Sequence, residues 1–182
     1  MLVFFAIIVL SGVLLWGCSS GPAVVSHANY LSSPPVIVDL EKIQVVEQES
    51  LMCSSATVLD INIVDLVRQW TKSAFVCSGS GIPLNVEIVE AKLAPLRELQ
   101  SAISSEEENT YVGILDVRIF IGKNPLSSRT SHSIHSKVSV TIPSHYTLKE
   151  RRHAVLSLAE EVVEILHKEV VRYIDTQGKL RR

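Results

Sequence analysis

The sequence predicts an α+β fold, a two-layer sandwich in which two amphipathic helices cover one face of a mainly antiparallel four-stranded sheet. Four segments alternate apolar and polar residues, as half-buried strands do, and two segments repeat their apolar residues every three or four positions, as amphipathic helices do. The predicted element order is β-α-β-β-β-α. A length of 182 residues favours one such domain over two.

The first predicted strand and helix follow one another directly. Residues 36 to 46 (VIVDLEKIQVV) alternate with one slip of phase, which predicts a strand with a bulge. Asn62 can act as an N-cap with Asp65 three positions later, and this arrangement predicts the start of a helix. An apolar stripe carries that helix to about Cys77, after which glycines and a proline end it.

Three further strands and a long helix complete the predicted domain. The strands cover Leu84 to Leu93, with a slip at Val89, then Tyr111 to Ile121 and His132 to Ile142, the last two forming a hairpin. A capping box, Thr147-x-x-Glu150, opens the helix, which reaches about Thr176. The sheet face away from the helices is polar and carries Asn85, Glu87, Asp116, Arg118, His135 and Lys137.

Composition narrows the class of protein. The chain is 47% hydrophobic and 20% charged, which excludes a collagen-like, a disulfide-dense or a mainly disordered chain. Its formal net charge of −2 gives no electrostatic footprint for nucleic acid. We therefore expect no nucleic-acid partner.

An uncharged apolar segment precedes the predicted domain. Residues 2 to 16 (LVFFAIIVLSGVLLW) are fewer than the roughly 20 that span a bilayer and slightly more than the apolar part of a signal peptide. The run Leu15-Trp16-Gly17-Cys18 resembles the lipobox of bacterial lipoproteins, although Trp16 is bulkier than usual and the segment has no Lys or Arg. The resemblance implies cleavage between Gly17 and Cys18 and acylation of Cys18. An uncleaved anchor and simple secretion are the alternatives.

The lipobox resemblance also implies a compartment. Several acyl chains on Cys18 would anchor the protein firmly to membrane lipid, whereas a single chain binds reversibly. Ser19 follows the cysteine where an Asp would imply retention at the inner membrane, so we expect the outer membrane, with the domain facing the periplasm. The predicted organisation is a signal peptide (1–17), a lipidated Ser-, Pro- and Gly-rich tether (18–35), the α+β domain (36–178) and a basic tail (179–182).

A broader resemblance rests on two segments. Val67 to Leu93 (VRQWTKSAFVCSGSGIPLNVEIVEAKL) holds a Trp-containing helix, a Gly-rich turn and a strand, and Leu156 to Ile174 is a long acidic amphipathic helix. These features resemble uncharacterised envelope lipoproteins of Gram-negative bacteria. More loosely, they are similar to small lipoproteins that assist lipopolysaccharide assembly or lipid-transporting ABC systems. The resemblance implies a non-catalytic binding or assembly module with a protein partner in the envelope, by analogy of fold.

The cysteines outside the lipobox, Cys53 and Cys77, form a candidate disulfide, because the periplasm is oxidising. Closing a loop of about 25 residues would stabilise the fold by roughly 3 kcal/mol in the chain-entropy model. A buried free thiol at Cys77 is the alternative, since this residue lies on the apolar face of the first predicted helix.

Other candidate sites favour ordinary structural roles. His132 and His135 lie three apart on a predicted strand, so they point to opposite faces and cannot jointly hold a metal unless the strand bends. Residues 78 to 81 (SGSG) follow a helix, whereas a nucleophile elbow joins a strand to a helix, so we interpret them as a turn. The run of glutamates at 106 to 108 is interpreted as solvated charge. Without a nucleophile, base and orienting group we predict no enzyme, no metal and no cofactor.

Three cations stand near the start of the last predicted helix, Lys149, Arg151 and Arg152. Cations there oppose the helix dipole, so contact with an acidic partner or a phosphate-bearing headgroup is one interpretation of these residues. Compensation by Glu150 and by solvent is the simpler alternative.

Two other function classes stay open beside a binding module. A structural lipoprotein would have neither a co-purifying partner nor a pocket. A periplasmic enzyme would need a deep cleft with a perturbed titratable group, such as His135 or Asp116. A free strand edge or an apolar surface patch would favour the binding module.

The variant Cys18→Ala tests the predicted anchor. We expect the wild-type protein to carry the mass of a triacylated cysteine and to stay with membranes, and the variant to lose that mass. Intact-mass measurement and membrane fractionation distinguish the two. Retention of residues 1–17 by both proteins in the membrane would instead identify an uncleaved anchor.

Overall fold

The computed structural model describes residues 33–47, 57–79, 81–99, 109–122 and 131–180, and within them the fold is α+β, as the sequence predicts. The helices are α1 (Ile63–Ser73), the four-residue α2 (Leu96–Leu99) and α3 (Leu148–Thr176). The strands are β1 (Val36–Val38), β2 (Ile43–Glu47), β3 (Thr57–Val58), β4 (Ile61–Asn62), β5 (Phe75–Cys77), β6 (Leu84–Pro95), β7 (Thr110–Ile121) and β8 (Ser131–Thr141).

The sheets are mixed, so the expectation of one mainly antiparallel sheet is wrong. The largest sheet has the order β2-β6-β7-β8, and its β6–β7 and β7–β8 pairs are antiparallel. The predicted hairpin of the last two strands is thereby confirmed. However, β2 runs parallel to β6, and β1 runs parallel to β5 in a second sheet. The physical reason is the connection through α1, because a helical crossover brings the chain back in the same direction.

The same crossover corrects two predicted elements. The segment predicted as one bulged strand is two strands, β1 and β2, and its slip of phase marks the point where the chain passes from one sheet to the other. Helix α1 ends at Ser73 and not at Cys77, because Phe75–Cys77 pairs with Val36–Val38 as β5. Aromatic and β-branched residues at 75 and 76 favour a strand there.

Local signals in the sequence are confirmed. The Asn62 side chain accepts a hydrogen bond from the Val64 N–H at 2.8 Å and caps α1. Both bonds of the Thr147–Glu150 capping box are present at the start of α3. The slip predicted at Val89 is a bulge in the pairing of β6 with β7.

The core lies between α1, α3 and one face of the large sheet, and Trp70 is among its largest fully buried side chains. Trp70 is fully buried on α1, and its ring lies edge-to-face with Phe75 of β5 at a centroid distance of 5.4 Å. Its indole N–H donates to Nδ1 of His167 on α3 at 3.1 Å. One side chain therefore joins α1, β5 and α3, and its polar atom is satisfied.

The segment predicted as a turn after β5 is described only in part, because residue 80 lies outside the described ranges, and residues 78 and 79 run beside the chain that contains β1. A Cβ atom at Gly79 would lie 2.6 Å from the carbonyl carbon of Asp39, so no side chain fits there. The Gly79 N–H donates to the Leu40 carbonyl at 3.1 Å, and the Ser78 N–H donates to the Val38 carbonyl at 3.0 Å. The close approach of these two backbones continues the pairing of β1 with β5.

The chain beyond α3 returns to the first strand. Gly178 has a φ of +65°, which reverses the chain direction. The Asp39 N–H then donates to the Lys179 carbonyl at 2.7 Å, and Leu180 forms an antiparallel bridge with Val38. Both ends of the described chain therefore meet at β1.

The buried His167 gives the fold a dependence on pH. Burial lowers the pKa of the His167 imidazole below its ordinary value of 6.5, although nearby Glu164 opposes this shift. Between the pKa of His167 in the folded chain and its ordinary value, the unfolded chain binds the proton more readily than the folded chain does. The contribution of neutral His167 to the free energy of unfolding is therefore complete above pH 6.5 and decreases as the pH falls below it.

We predict that His167→Gln removes this part of the pH dependence while keeping an acceptor for the Trp70 N–H. Urea unfolding of both proteins at several pH values below neutrality measures the effect. Equal pH slopes for the wild type and the variant would contradict it.

Candidate functional site

An open groove with a volume of about 860 Å³ lies between the second half of β8 and the first half of α3. Its inner side contains the buried side chains Ile142 and Leu158. Polar side chains of both elements form its rims. The residues that line it are Ser139, Val140, Thr141, Ile142, Pro143, Tyr146, Thr147, Lys149, Glu150, His153, Ala154, Ser157, Leu158 and Glu161.

One side of the groove is a strand edge. Among the described residues, β8 pairs only with β7 and is the outermost strand of the large sheet. The Ile142 N–H donates to the Asn109 carbonyl at 2.9 Å, and the register is unbroken along β8. In an antiparallel pair, the backbone N–H and C=O groups of successive residues point alternately toward the partner strand and away from it. Since Ile142 bonds toward β7, the even-numbered residues of β8 do the same, and the odd-numbered residues direct their backbone groups outward. Ser139 and Thr141 do so directly beside the groove.

The first turn of α3 forms the opposite side and is held in place by the capping box. The Thr147 hydroxyl accepts from the Glu150 N–H at 3.3 Å, and the Glu150 carboxylate accepts from the Thr147 N–H at 2.7 Å. The hydrogen bonds from the Thr147 side chain and backbone lower the pKa of the Glu150 carboxyl. The shift therefore reflects helix capping, and it does not indicate acid-base catalysis.

The three predicted cation contacts differ in the structure. Arg151 donates from Nε to the Tyr146 carbonyl at 3.0 Å and from a terminal nitrogen to the Ser144 carbonyl at 2.8 Å, so it holds the loop between β8 and α3. Lys149 and Arg152 are exposed, and Lys149 lines the groove. Their contact with an acidic partner or a headgroup stays a prediction.

The sheet face away from the helices carries ion pairs, and it is less uniformly exposed than the sequence suggests. Arg118 lies 3.5 Å from the Glu87 carboxylate, and His135 contacts Asp116. Asn85, predicted on this exposed face, is only 3% exposed, and its side chain donates to the Gly122 carbonyl at 2.6 Å.

The two histidines of β8 lie on opposite faces, as the alternation of strand residues predicts. His132 is on the helix side, where its ring stacks on Tyr173 of α3 at a centroid distance of 6.0 Å. Within the described ranges, no group of three His, Cys, Asp or Glu side chains is placed to hold a metal ion.

Several predicted site residues lie outside the described part of the chain: Gly17, Cys18, Cys53 and the glutamates at 106 to 108. Cys77 is described and half-buried, and burial raises the pKa of its thiol. The disulfide with Cys53 stays a prediction.

No protein-family model matches the chain, and no curated protein matches it. Solved structures do. A putative lipoprotein from Caulobacter crescentus is 10% identical, with a TM-score of 0.38 over 74% of this chain and 91% of that one. A minor lipoprotein from Acinetobacter baumannii is 10% identical, with a TM-score of 0.41 over 78% of this chain and 95% of that one. The rare lipoprotein B of Shewanella oneidensis is 12% identical, with a TM-score of 0.35 over 74% of this chain and 98% of that one.

All three similar structures are described as lipoproteins and come from Gram-negative bacteria, the class that the sequence features resemble. With TM-scores no higher than 0.41, no residue role transfers from them to this chain. Within the part of the chain that the structure describes, no helix is long and apolar enough to cross a bilayer.

We predict that Thr147→Ala lowers the free energy of unfolding by about 1 kcal/mol, because an N-cap acceptor on α3 is lost. Thr147→Ser is the matched control and keeps the hydroxyl. Chemical denaturation of the three proteins measures the difference. Equal stability of the Ala and Ser variants would show that the capping box does not hold this side of the groove.

Proposed function

We propose that the protein is a non-catalytic lipoprotein of the bacterial envelope that binds an extended segment of a partner protein at the outer edge of β8. The lipobox-like run ending at Cys18 supports the anchor, and Ser19 supports an outer-membrane position facing the periplasm. The groove between β8 and α3 supports the binding role.

The outer edge of β8, where no strand of the described residues pairs, and the apolar groove beside it carry this proposal. An extended chain that adds to a sheet edge gains backbone hydrogen bonds, and every second side chain points to the same face. The outward N–H and C=O groups of Ser139 and Thr141 supply the backbone partners. Apolar side chains of the added strand would then enter the groove over Ile142 and Leu158.

The edge differs between its two halves. Exposed sheet edges are commonly protected by charges, prolines or bulges, which discourage pairing with another chain. Lys137 provides such a charge in the middle of β8, whereas residues 138 to 141 (VSVT) contain no charge and no proline. Pairing is therefore least opposed in the half of β8 that borders the groove.

The charges on the α3 side have both signs, but they differ along the helix: Glu150 is engaged in the capping box, and Glu161 lies about three turns beyond the first turn. Lys149 lines the groove, and Arg152 follows less than one helical turn later, both exposed. A bound strand with an acidic residue at the end nearest the first turn of α3 would neutralise these cations. We therefore expect the partner segment to alternate apolar residues and to end in a carboxylate-bearing residue.

The groove fits the alternative classes less well. Nucleophilic catalysis needs a nucleophile, a base and an orienting group in mutual contact. In the groove, the Thr147 hydroxyl and the Glu150 carboxylate are engaged with each other in the capping box. A purely structural lipoprotein would have no use for an apolar groove beside an unpaired edge.

Site-specific photo-crosslinking of the full chain in its own bacterium tests the proposal. A photoreactive residue at Ser157, inside the groove, should give a crosslinked adduct, and the same residue at Lys72, on α1, should not. The adduct at Ser157 should disappear in a second variant, Ser139→Pro. Proline there removes an outward N–H and leaves the hydrogen bonds to β7 in place.

The control is Ser139→Thr, which keeps the N–H and should keep the adduct. An adduct that persists in Ser139→Pro would exclude strand addition. Adducts of equal yield from Ser157 and Lys72 would exclude the groove as the binding site.

A further inference from the structure

Most of the large apolar side chains that remain exposed belong to two segments of the chain that pair with each other. Leu148, the single exception among the described residues, lies at the start of α3. The other side chains all belong to residues 36–47 and 75–89, which we call the apolar edge. They are Ile37, Val46, Val76, Ile82 and Val89.

The two segments of the apolar edge form one continuous ribbon. Parallel pairing joins β1 to β5 and then β2 to β6. Between these pairs, the Glu41 N–H donates to the Ile82 carbonyl at 3.0 Å, and the Leu84 N–H donates to the Lys42 carbonyl at 2.9 Å. The strand β2 also forms the border of the large sheet opposite to β8.

Ile37 and Val76 are the centre of this ribbon. They are register partners in the β1–β5 sheet, and they are 49% and 46% exposed. Their neighbours Val36, Val38, Phe75 and Cys77 point the other way and pack on the core. The core therefore uses one face of this small sheet and leaves an apolar pair on the other.

The chain enters the domain at the same place. Ser33, Pro34 and Pro35 are exposed and lead directly into β1. Proline fixes its own backbone and keeps the preceding residue extended, so the entering chain continues the line of the strand. Ser33 follows Cys18 by 15 positions, and a chain of this length reaches at most about 50 Å.

We propose that the apolar edge lies against the lipid bilayer in which the acyl chains of Cys18 are embedded, so that β8 and its groove face away from the membrane. This inference rests on the anchor of the proposed function. A short tether keeps the domain at a high effective concentration beside the bilayer, so a weak apolar contact is sufficient to orient it.

The two segments of the apolar edge carry charges of both signs. Lys42 is exposed, and the same segments contain Asp39, Glu41, Glu47 and Glu87. The contact that we propose is therefore apolar, and it does not depend on attraction to anionic headgroups.

The test uses the mature lipidated protein in vesicles of phosphatidylethanolamine and phosphatidylglycerol, with and without brominated acyl chains, which quench tryptophan on contact. The wild type is the baseline, because Trp70 is fully buried. Ile37→Trp and Val76→Trp each place a reporter on the apolar edge. Leu148→Trp is the matched control, since Leu148 is 69% exposed at the start of α3.

For Ile37→Trp and Val76→Trp we expect weaker emission in brominated than in unbrominated vesicles. For Leu148→Trp and the wild type we expect equal emission in the two kinds of vesicle. Circular dichroism checks that each variant is folded, and either edge variant alone is sufficient for the comparison. Vesicle flotation of each variant checks the anchor separately.

If every variant floats and the edge reporters are quenched no more than Leu148→Trp, the orientation is wrong and the anchor stands. If no variant floats, the proposed anchor is wrong, and the proposed orientation, which requires it, is wrong as well. A change in emission of Ile37→Trp with protein concentration, without quenching by brominated lipid, would assign the apolar edge to a second copy of the chain.

Discussion

The burial of Trp70 is the interaction on which the rest of the structure depends. Its ring lies between α1, β5 and α3, and its N–H has one partner, His167, to which it donates at 3.1 Å. A buried indole without an acceptor would be costly, so the position of α3 relative to α1 is fixed by a polar atom as well as by packing. The small β1–β5 sheet is held to the main core through the same contact with Phe75. Trp70 therefore helps to position α3, which forms one side of the groove, and β5, which belongs to the apolar edge.

Much of the fold could be predicted from short-range signals. Asn62 before α1 and the Thr147–Glu150 pair before α3 are local, because a capping residue and its partner lie within four positions of each other. Alternation predicted β6, β7 and β8 with small errors at their ends, and the slip at Val89 predicted the bulge in β6. In each case the residues that form the feature are neighbours in the sequence.

The features that could not be predicted depend on distant partners. Phe75 to Cys77 continue the apolar stripe of α1, and only their pairing with Val36–Val38 makes them a strand. Asn85 has a polar side chain in an alternating strand, yet it is buried because the Gly122 carbonyl accepts its hydrogen bond. The groove arises because β8 is the border strand of the sheet, and strand order is not a local property. The sequence did place three cations near the start of α3, but it did not distinguish Arg151, which holds a loop, from exposed Lys149 and Arg152.

The clamping of β1 has a mechanical consequence. This short strand lies between β5 on one side and the bridge to Leu180 on the other, and residues 33–35 continue directly from its first residue. A pull on those residues runs along the strand axis, so it loads the flanking hydrogen bonds together in shear and does not open them one after another. A domain held from this point would withstand tension from its attachment better than one held from a loop. The place where the chain enters is thus also the place where the fold resists force.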